Sequence, residues 1–317
     1  MTDRHAYIDR APLAAGDTVA FVSPAGPGDE ASLKKGVGYY REWGLEVQVG
    51  DAVLKRHSRA RYLAGEDDDR RNDLVNAWMD PDVDAVVCTR GGYGALRLLD
   101  GIDWNRMREG GRRRDGSPKL LTGSSDITAL HEAFRVHLDV PTLFCPMATN
   151  GVFAESEIIR LDVRRWLLEP WGGRELIGPD TEILAPGKTH GRFTGGNVSL
   201  LTSAIGAPEA AEKPDGILFL EDVGESPYRL DNFLTQMDRA GRFDYVTGIV
   251  LGSWNSSGRM DDLRLLMDEF FADRGVPVLW EQGFGHDPHA LSVPLNVDGL
   301  LDASGSAPVL TVTGAAS

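Results

Sequence analysis

Short, wholly apolar, β-rich runs alternate with amphipathic segments through the first half of this chain. That alternation restricts the fold more than any other feature. TVAFVSPA (residues 18–25) is such a run and ends in a Pro/Gly turn; LEVQVG (45–50), DAVVCTR (84–90), KLLTG (119–123) and VPTLFC (140–145) follow. Runs without a polar face belong to strands covered on both sides, as in parallel sheets. The segments between them have helical character. DEASLKKGVGYYREWG (29–44) predicts a helix closing on Gly44. EDDDRRNDLVNAWMD (66–80) places Leu74, Val75 and Trp78 on one face and stops at Asp80-Pro81, because a residue before proline avoids helical backbone. ALRLLDGIDW (95–104) and SDITALHEAFRVHL (125–138) continue the pattern.

The second half repeats the alternation after a change in character. EPWGGRELIGPDTEILAPGKTHGRF (169–193) is rich in Gly and Pro and has no helical period, so it reads as a linker. TGGNVSLLTSAIG (194–206) reads as a glycine turn feeding a short helix. Strands are expected in DGILFLED (215–222), VTGIVLGSW (246–254), VPVLWEQGFGHD (276–287), HALSVPLN (289–296) and APVLTVT (307–313). Helices are expected in RLDNFLTQMDRAGRF (229–243) and RMDDLRLLMDEFFADRG (259–275). The expected fold class is therefore α/β. An N-terminal three-layer domain with a mostly parallel sheet (1–168) and a linker (169–193) precede a smaller C-terminal α/β domain (194–317).

Composition narrows the function classes. Of 317 residues, 33 are Lys or Arg and 48 are Asp or Glu, a net charge of −15. That balance disfavours nucleic-acid binding, which needs a concentrated basic face. No run approaches the ~18–20 apolar residues that span a bilayer, and MTDRHAYIDRAPL lacks the apolar core of a signal peptide. A cytoplasmic protein without a membrane partner is expected. Cys88 and Cys145 lie in apolar contexts without a CxxC pair and read as buried reduced thiols. One stretch stands apart: REGGRRRDGSPK (108–119), which reads either as a solvated mobile loop or as a basic lip over an anionic ligand.

Ligands of open α/β sheets bind beyond the C-terminal strand ends. Polar residues fall there at Arg90-Gly91-Gly92, at Ser124–Asp126, at Glu221-Asp222 and at His286. RGGYG lacks the spacing of a dinucleotide fingerprint and GxxxxGK[ST] is absent. RGGYG is thus either a structural turn or a set of backbone donors for an oxyanion. His286 and His289 have HxxH spacing, but no third ligand is in register for zinc. Ser125 follows a strand and precedes a helix, so it reads either as a helix cap or as a nucleophile held in the field of the helix N-terminus. GSSDI is not the G-x-S-x-G elbow signature. Ser, Glu and His occur in an order from which a catalytic triad can be assembled, and Glu225 competes with Glu221 as orienter of the histidine.

At these residues the chain resembles the LD-carboxypeptidase family, serine peptidases grouped with the microcin C immunity peptidase. The likeness runs through VAFVSPAG (19–26), YLAGEDDDRRNDLVNAWMDPDVDAVVCTRGGYGALRLLD (62–100), SDITAL, GGNVSLL, ILFLEDVGESPYRLDNFLTQM, GIVLGSW and the GH at 285–286. The resemblance implies an active site in a cleft between the two domains. It implies Ser125 as nucleophile, His286 as base and Glu221 as its orienting acid. It implies backbone N–H donors at Gly91 or Gly92 and at Asp126, and a carboxylate grip by Arg90. It also implies a homodimer, no cofactor or metal, and a small peptide substrate. That substrate is a murein tetrapeptide losing a terminal D-amino acid across an L,D bond, or alternatively a peptidyl-nucleotide antibiotic; a non-catalytic peptide-binding protein is the alternative of another class. Three departures from the family pattern bear on substrate choice: the basic insertion at 108–118, LFCPMATNG near Cys145, and Ser124 where the family carries an aromatic ring.

Overall fold

The apolar runs of the first half become strands of one sheet in the computed structural model, which describes residues 3–314. The chain divides into two units, Met1–Trp171 and Gly172–Ser317. The first contains β1 (Thr18–Val22), α1 (Glu30–Glu42), β2 (Glu46–Val49), α2 (Asp67–Met79), β3 (Ala85–Cys88), α3 (Trp104–Gly110), β4 (Leu120–Gly123), α4 (Thr128–Leu138), β5 (Thr142–Phe144), α5 (Gly151–Glu155) and α6 (Glu157–Leu168). Its strands lie in the order β5-β4-β3-β1-β2, all parallel. Every residue of β3 and β4 is buried. One face carries Val22, Val86, Cys88 and Leu121 into a core with Leu74 and Trp78 of α2 and Leu130 and Phe134 of α4. Trp78 meets Phe134 edge-on, ring centroids 4.7 Å apart. On the other face Phe21 meets Tyr40 of α1 at 5.0 Å. Helices on both faces give the three layers expected, and each such side chain contributes about 1.5–3 kcal/mol by leaving water.

The second unit contains β6 (Glu182–Ala185), β7 (Lys188–Asn197), α7 (Val198–Ser203), β8 (Asp215–Glu221), α8 (Pro227–Arg239), β9 (Tyr245–Leu251), α9 (Met260–Phe271), β10 (Val278–Trp280), β11 (Val293–Leu295), β12 (Asp298–Asp302) and β13 (Val309–Val312). Its sheet runs β13-β12-β7-β8-β9-β10-β6. The central strands β7, β8, β9 and β10 are parallel, and antiparallel β12 and β6 flank them. Leu230, Leu234 and Met237 of α8 and Leu263, Met267 and Phe271 of α9 pack with Leu218, Leu220, Ile249 and Leu251 of the sheet.

Four local expectations change. Residues 172–193 are not a free linker: β6 and the start of β7 lie inside them, and Gly173 donates to Val312. Their Gly and Pro density reflects an edge strand and tight turns rather than a spacer. TGGN is the end of β7, not a turn. ALRLLDGIDW is not one helix. A 3-10 turn (Ala95–Gly101) gives way to α3, whose start is capped by Asp103 accepting from Arg106 N–H at 3.0 Å. The basic stretch is partly exposed but tied down, neither a loose loop nor a free lip. Arg112 and Pro118 bridge as a hairpin, and the Arg113 guanidinium reaches Asp84, Asp17 and the Pro12 carbonyl, each at 2.7 Å. Arg114 pairs with Asp82, and Arg108 donates to the His137 carbonyl. Lys119 is buried and donates to the Ala77 and Asp80 carbonyls; burial pushes its ammonium down to about 8.

Candidate active site

In the first unit, β4 leaves the sheet at Gly123 and the chain turns into α4 through a 3-10 turn, Ser125–Ile127. Ser125 has φ +61°, a left-handed conformation uncommon for a residue with a side chain. Backbone strain of this kind gathers where a side chain must be aimed. With Gly123 but not the second glycine of an elbow signature, whose place Ile127 takes, the turn still has the elbow's character: strand, strained serine, helix. Neither serine caps the helix. Ser124 makes no side-chain cap bond, and among the described residues Ser125 Oγ engages no hydrogen-bond partner.

The RGGYG turn packs against this serine. A Cβ on Gly91 would sit 2.9 Å from Ser125 Cβ and 3.2 Å from its Oγ. The turn is tied on both sides: Gly91 accepts from Gly26 N–H at 3.0 Å, and buried Asp126 accepts from Ala95 N–H at 2.8 Å. Burial holds the Asp126 carboxyl above its usual range. Its side chain is therefore a structural tie, while its own N–H and those of Gly91 and Gly92 engage no acceptor among the described residues. Such donors, fixed beside a nucleophile, are what an oxyanion requires. Arg90 heads the turn and is exposed, with no ion pair among the described residues.

In the second unit, β8 ends at Glu221, which is wholly buried. His286 Nδ1 lies 2.7 Å from Glu221 Oε2. A carboxylate there accepts a hydrogen bond from Nδ1–H and leaves Nε2 as the acceptor of a neutral ring. Gly285, with φ +113°, makes the approach possible: a Cβ there would stand 2.5 Å from Glu221 Oε2. The backbone of His286 is held twice, its N–H by Ser253 Oγ at 2.9 Å and its carbonyl by Asn255 at 2.9 Å. Burial opposes imidazolium formation more than any other single influence. The Glu221 charge and hydrogen bond, with the Asp222 charge, together outweigh it and raise the His286 pKa.

Glu221 and Asp222 are adjacent buried carboxylates, and Asn197 bridges them. Its Nδ2 donates to Glu221 Oε1 at 3.1 Å and to Asp222 Oδ1 at 3.0 Å. Asp222 also accepts from the N–H groups of Ser199 and Val223. Burial, then the neighbouring Glu221 charge, pushes Asp222 up to about 6. Glu225 is elsewhere engaged, accepting from Arg229 Nε at 2.6 Å. Among the described residues no group of three metal-ligating side chains occurs, and the Nδ1 of His286 is already committed. Cys145 is buried, its thiol pushed up to about 12 by burial first, so it is inert. The sequence marks Asp222 only as the neighbour of Glu221 at a strand end, and does not mark Asn197 or Ser253. Asn197 had one available signal, its place as N-cap of α7, where it accepts from Leu200 N–H.

A buried carboxylate–imidazole pair and a strained serine on an α/β scaffold are the parts of a serine peptidase, and the comparisons agree. Residues 19–145 match the LD-carboxypeptidase N-terminal domain and residues 190–301 the LD-carboxypeptidase C-terminal domain. A Streptomyces coelicolor relative is 44% identical over 292 residues, 92% of each chain. The murein tetrapeptide carboxypeptidase of Pseudomonas aeruginosa is 34% identical over 272 residues, 82% of this chain and 86% of that one. The solved structure of MccF in complex with glutamyl sulfamoyl guanosine shares the fold, with TM-score 0.81 and 22% identity over 98% of this chain and 100% of that one. The chain is a serine peptidase. It belongs to the LD-carboxypeptidase family.

Proposed function

We propose that Ser125, His286 and Glu221 act as one triad that hydrolyses an L,D amide bond and releases the terminal D-amino acid of a murein tetrapeptide. The observation that carries this is the 2.7 Å contact between His286 Nδ1 and wholly buried Glu221. It fixes the tautomer whose Nε2 can take a serine proton. Catalysis by this triad requires Ser125 Oγ to reach that Nε2. In the first step His286 takes the Ser125 proton as Oγ attacks the substrate carbonyl, and the oxyanion forms against the N–H groups of Gly91 or Gly92 and Asp126. His286 then gives the proton to the leaving amine as the C–N bond breaks. Water, deprotonated by the same imidazole, cleaves the acyl-enzyme and restores Ser125. Arg90 supports a bidentate grip on the terminal carboxylate.

The test is release of D-alanine from murein tetrapeptide by the parent protein and by Ser125→Ala. Loss of release in the variant is expected; turnover that survives would remove Ser125 as nucleophile. Peptidyl-nucleotide substrates lose one argument in their favour, since Arg108, Arg112, Arg113 and Arg114 are already engaged within the chain. We also propose a cytoplasmic homodimer, which sedimentation and fractionation would test.

A further inference from the structure

Beside the RGGYG turn, within the first unit, lies a cavity of about 420 Å³ lined by Gly26, Arg56, Arg61, Tyr62, Arg90, Gly91, Gly92 and Tyr93. Three guanidinium groups border it in a protein of net charge −15. Elsewhere in the same unit several arginines are held by carboxylates, as Arg70 and Arg97 are by Asp67, Arg71 by Asp68 and Arg113 by Asp17 and Asp84. Among the described residues no ion pair engages Arg56, Arg61 or Arg90. Among the described residues Arg56 donates to the carbonyls of Gly28, Leu54 and Lys55, at 3.1–3.2 Å.

The loop that presents Arg61 is built rather than slack. Buried His57 accepts from the N–H groups of Arg59 and Ala60 at 3.0 Å, and its Nε2 meets Glu66 at 2.9 Å. Ala64 N–H donates to Ala25 and Gly26 N–H to Gly91, each at 3.0 Å. The Arg61 loop, the Gly26 turn and the RGGYG turn are thereby joined, and Gly91 packs on Ser125. Tyr62 and Tyr93 remain exposed and meet edge-on at 6.0 Å.

We propose that Arg56 and Arg61, which line the same cavity as the carboxylate-gripping Arg90, form an oxyanion-binding subsite beside Ser125. It takes an acidic group of the substrate, carboxylate or phosphate, beyond the terminal carboxylate. Such guanidiniums favour these groups because the planar fork matches carboxylate and phosphate oxygens, and the tied loop leaves only the side chains to be ordered at binding. The proposal rests on the peptidase reading, so its test is binding and not turnover. Ser125→Ala protein, with and without Arg61→Ala or Arg61→Lys, is titrated calorimetrically. The probes are two matched murein tetrapeptides, whose third residue bears a free side-chain carboxylate or its carboxamide, and AMP.

Tighter binding of the free acid by roughly tenfold is expected, the weight of a charge-assisted hydrogen bond. Arg61→Ala should abolish the difference and Arg61→Lys should keep part of it. Equal binding of acid and amide, or an equal loss for both in Arg61→Ala, would overturn a carboxylate subsite. AMP binding that Arg61→Ala weakens, with neither peptide bound, would keep the subsite for phosphate while removing the murein substrate. No binding of any probe would overturn both.

Discussion

Substituting Gly91 by alanine isolates the contact between the glycine turn and the nucleophile. Gly91 is not among the residues of positive φ, so an alanine backbone fits there without strain. The added Cβ would stand 2.9 Å from Ser125 Cβ, 3.2 Å from Oγ and 3.3 Å from Met147 Cε. Carbon atoms rest at about 3.5–4.0 Å, so the turn and Ser125 must part by roughly 0.6–1 Å. A displacement of about 1 Å at a reacting atom costs on the order of 10²-fold in rate, or about 2.7 kcal/mol of transition-state stabilisation. Stability should change by less than about 1 kcal/mol, since a stiffer unfolded chain offsets the local crowding. Gly92→Ala is the control with the opposite pattern. Its φ is +105°, but no atom lies nearer than 3.9 Å to the added Cβ. It should lower stability by about 1–3 kcal/mol with the smaller rate loss. Thermal melts and kcat/KM on a tetrapeptide read both quantities. A Gly91→Ala protein with parental melting and a rate within about threefold of parent, under 1 kcal/mol, would refute the placement of the turn against Ser125.

Ser125→Gly should abolish activity yet raise the melting temperature, because glycine relieves a left-handed strain of about 1 kcal/mol or more; a lowered melting temperature contradicts this. Asn197→Ala leaves Glu221 Oε1 without that donor beside a second carboxylate, and should cost about 1–3 kcal/mol in denaturant melts together with activity. The pH profile follows from His286, whose pKa is raised above its ordinary 6.5. The base must be neutral, so kcat/KM should climb with pH through a value above 6.5. Glu221→Gln, by removing the charge that favours imidazolium, should move that limb to lower pH as it lowers the rate. Arg113→Ala removes the cation shared by Asp17 and Asp84, leaving each with a backbone donor, and should destabilise the fold by about 1.5–3 kcal/mol in urea melts while leaving kcat/KM unchanged.

The sheet strands were legible because burial on both faces forces unbroken apolar runs: AVVC and LLTG can be little else. β12 escaped because VDGLLD carries Asp at both strand ends and alternates exposure between its two partners. The strand-bearing part of 169–193 escaped for a related reason, since short strands among Gly and Pro have no period long enough to register. At the site, Ser125, His286 and Glu221 were visible as residue types at strand ends. The choice of Glu221 over Glu225 rested on the family resemblance and not on pattern, because both lie at the end of β8 or just beyond it; the fold shows which one the histidine meets. The strain at Ser125 left no compositional trace: a serine with φ +61° is spelled like any other. Basic residues were the least legible. REGGRRRDGSPK attracts notice by density, yet its arginines are held by acidic residues and carbonyls distant in sequence. Arg56 and Arg61, spaced without emphasis, have no ion pair among the described residues.

The central claim is that Ser125 is a nucleophile activated by the His286–Glu221 pair. Labelling by a fluorophosphonate, followed by peptide mapping and mass spectrometry, tests it most directly. The adduct should map to Ser125 and not Ser124, and its rate of formation should fall on the order of 10³-fold in His286→Ala. An adduct elsewhere, or labelling of Ser125 at the parental rate without the imidazole, would contradict the triad.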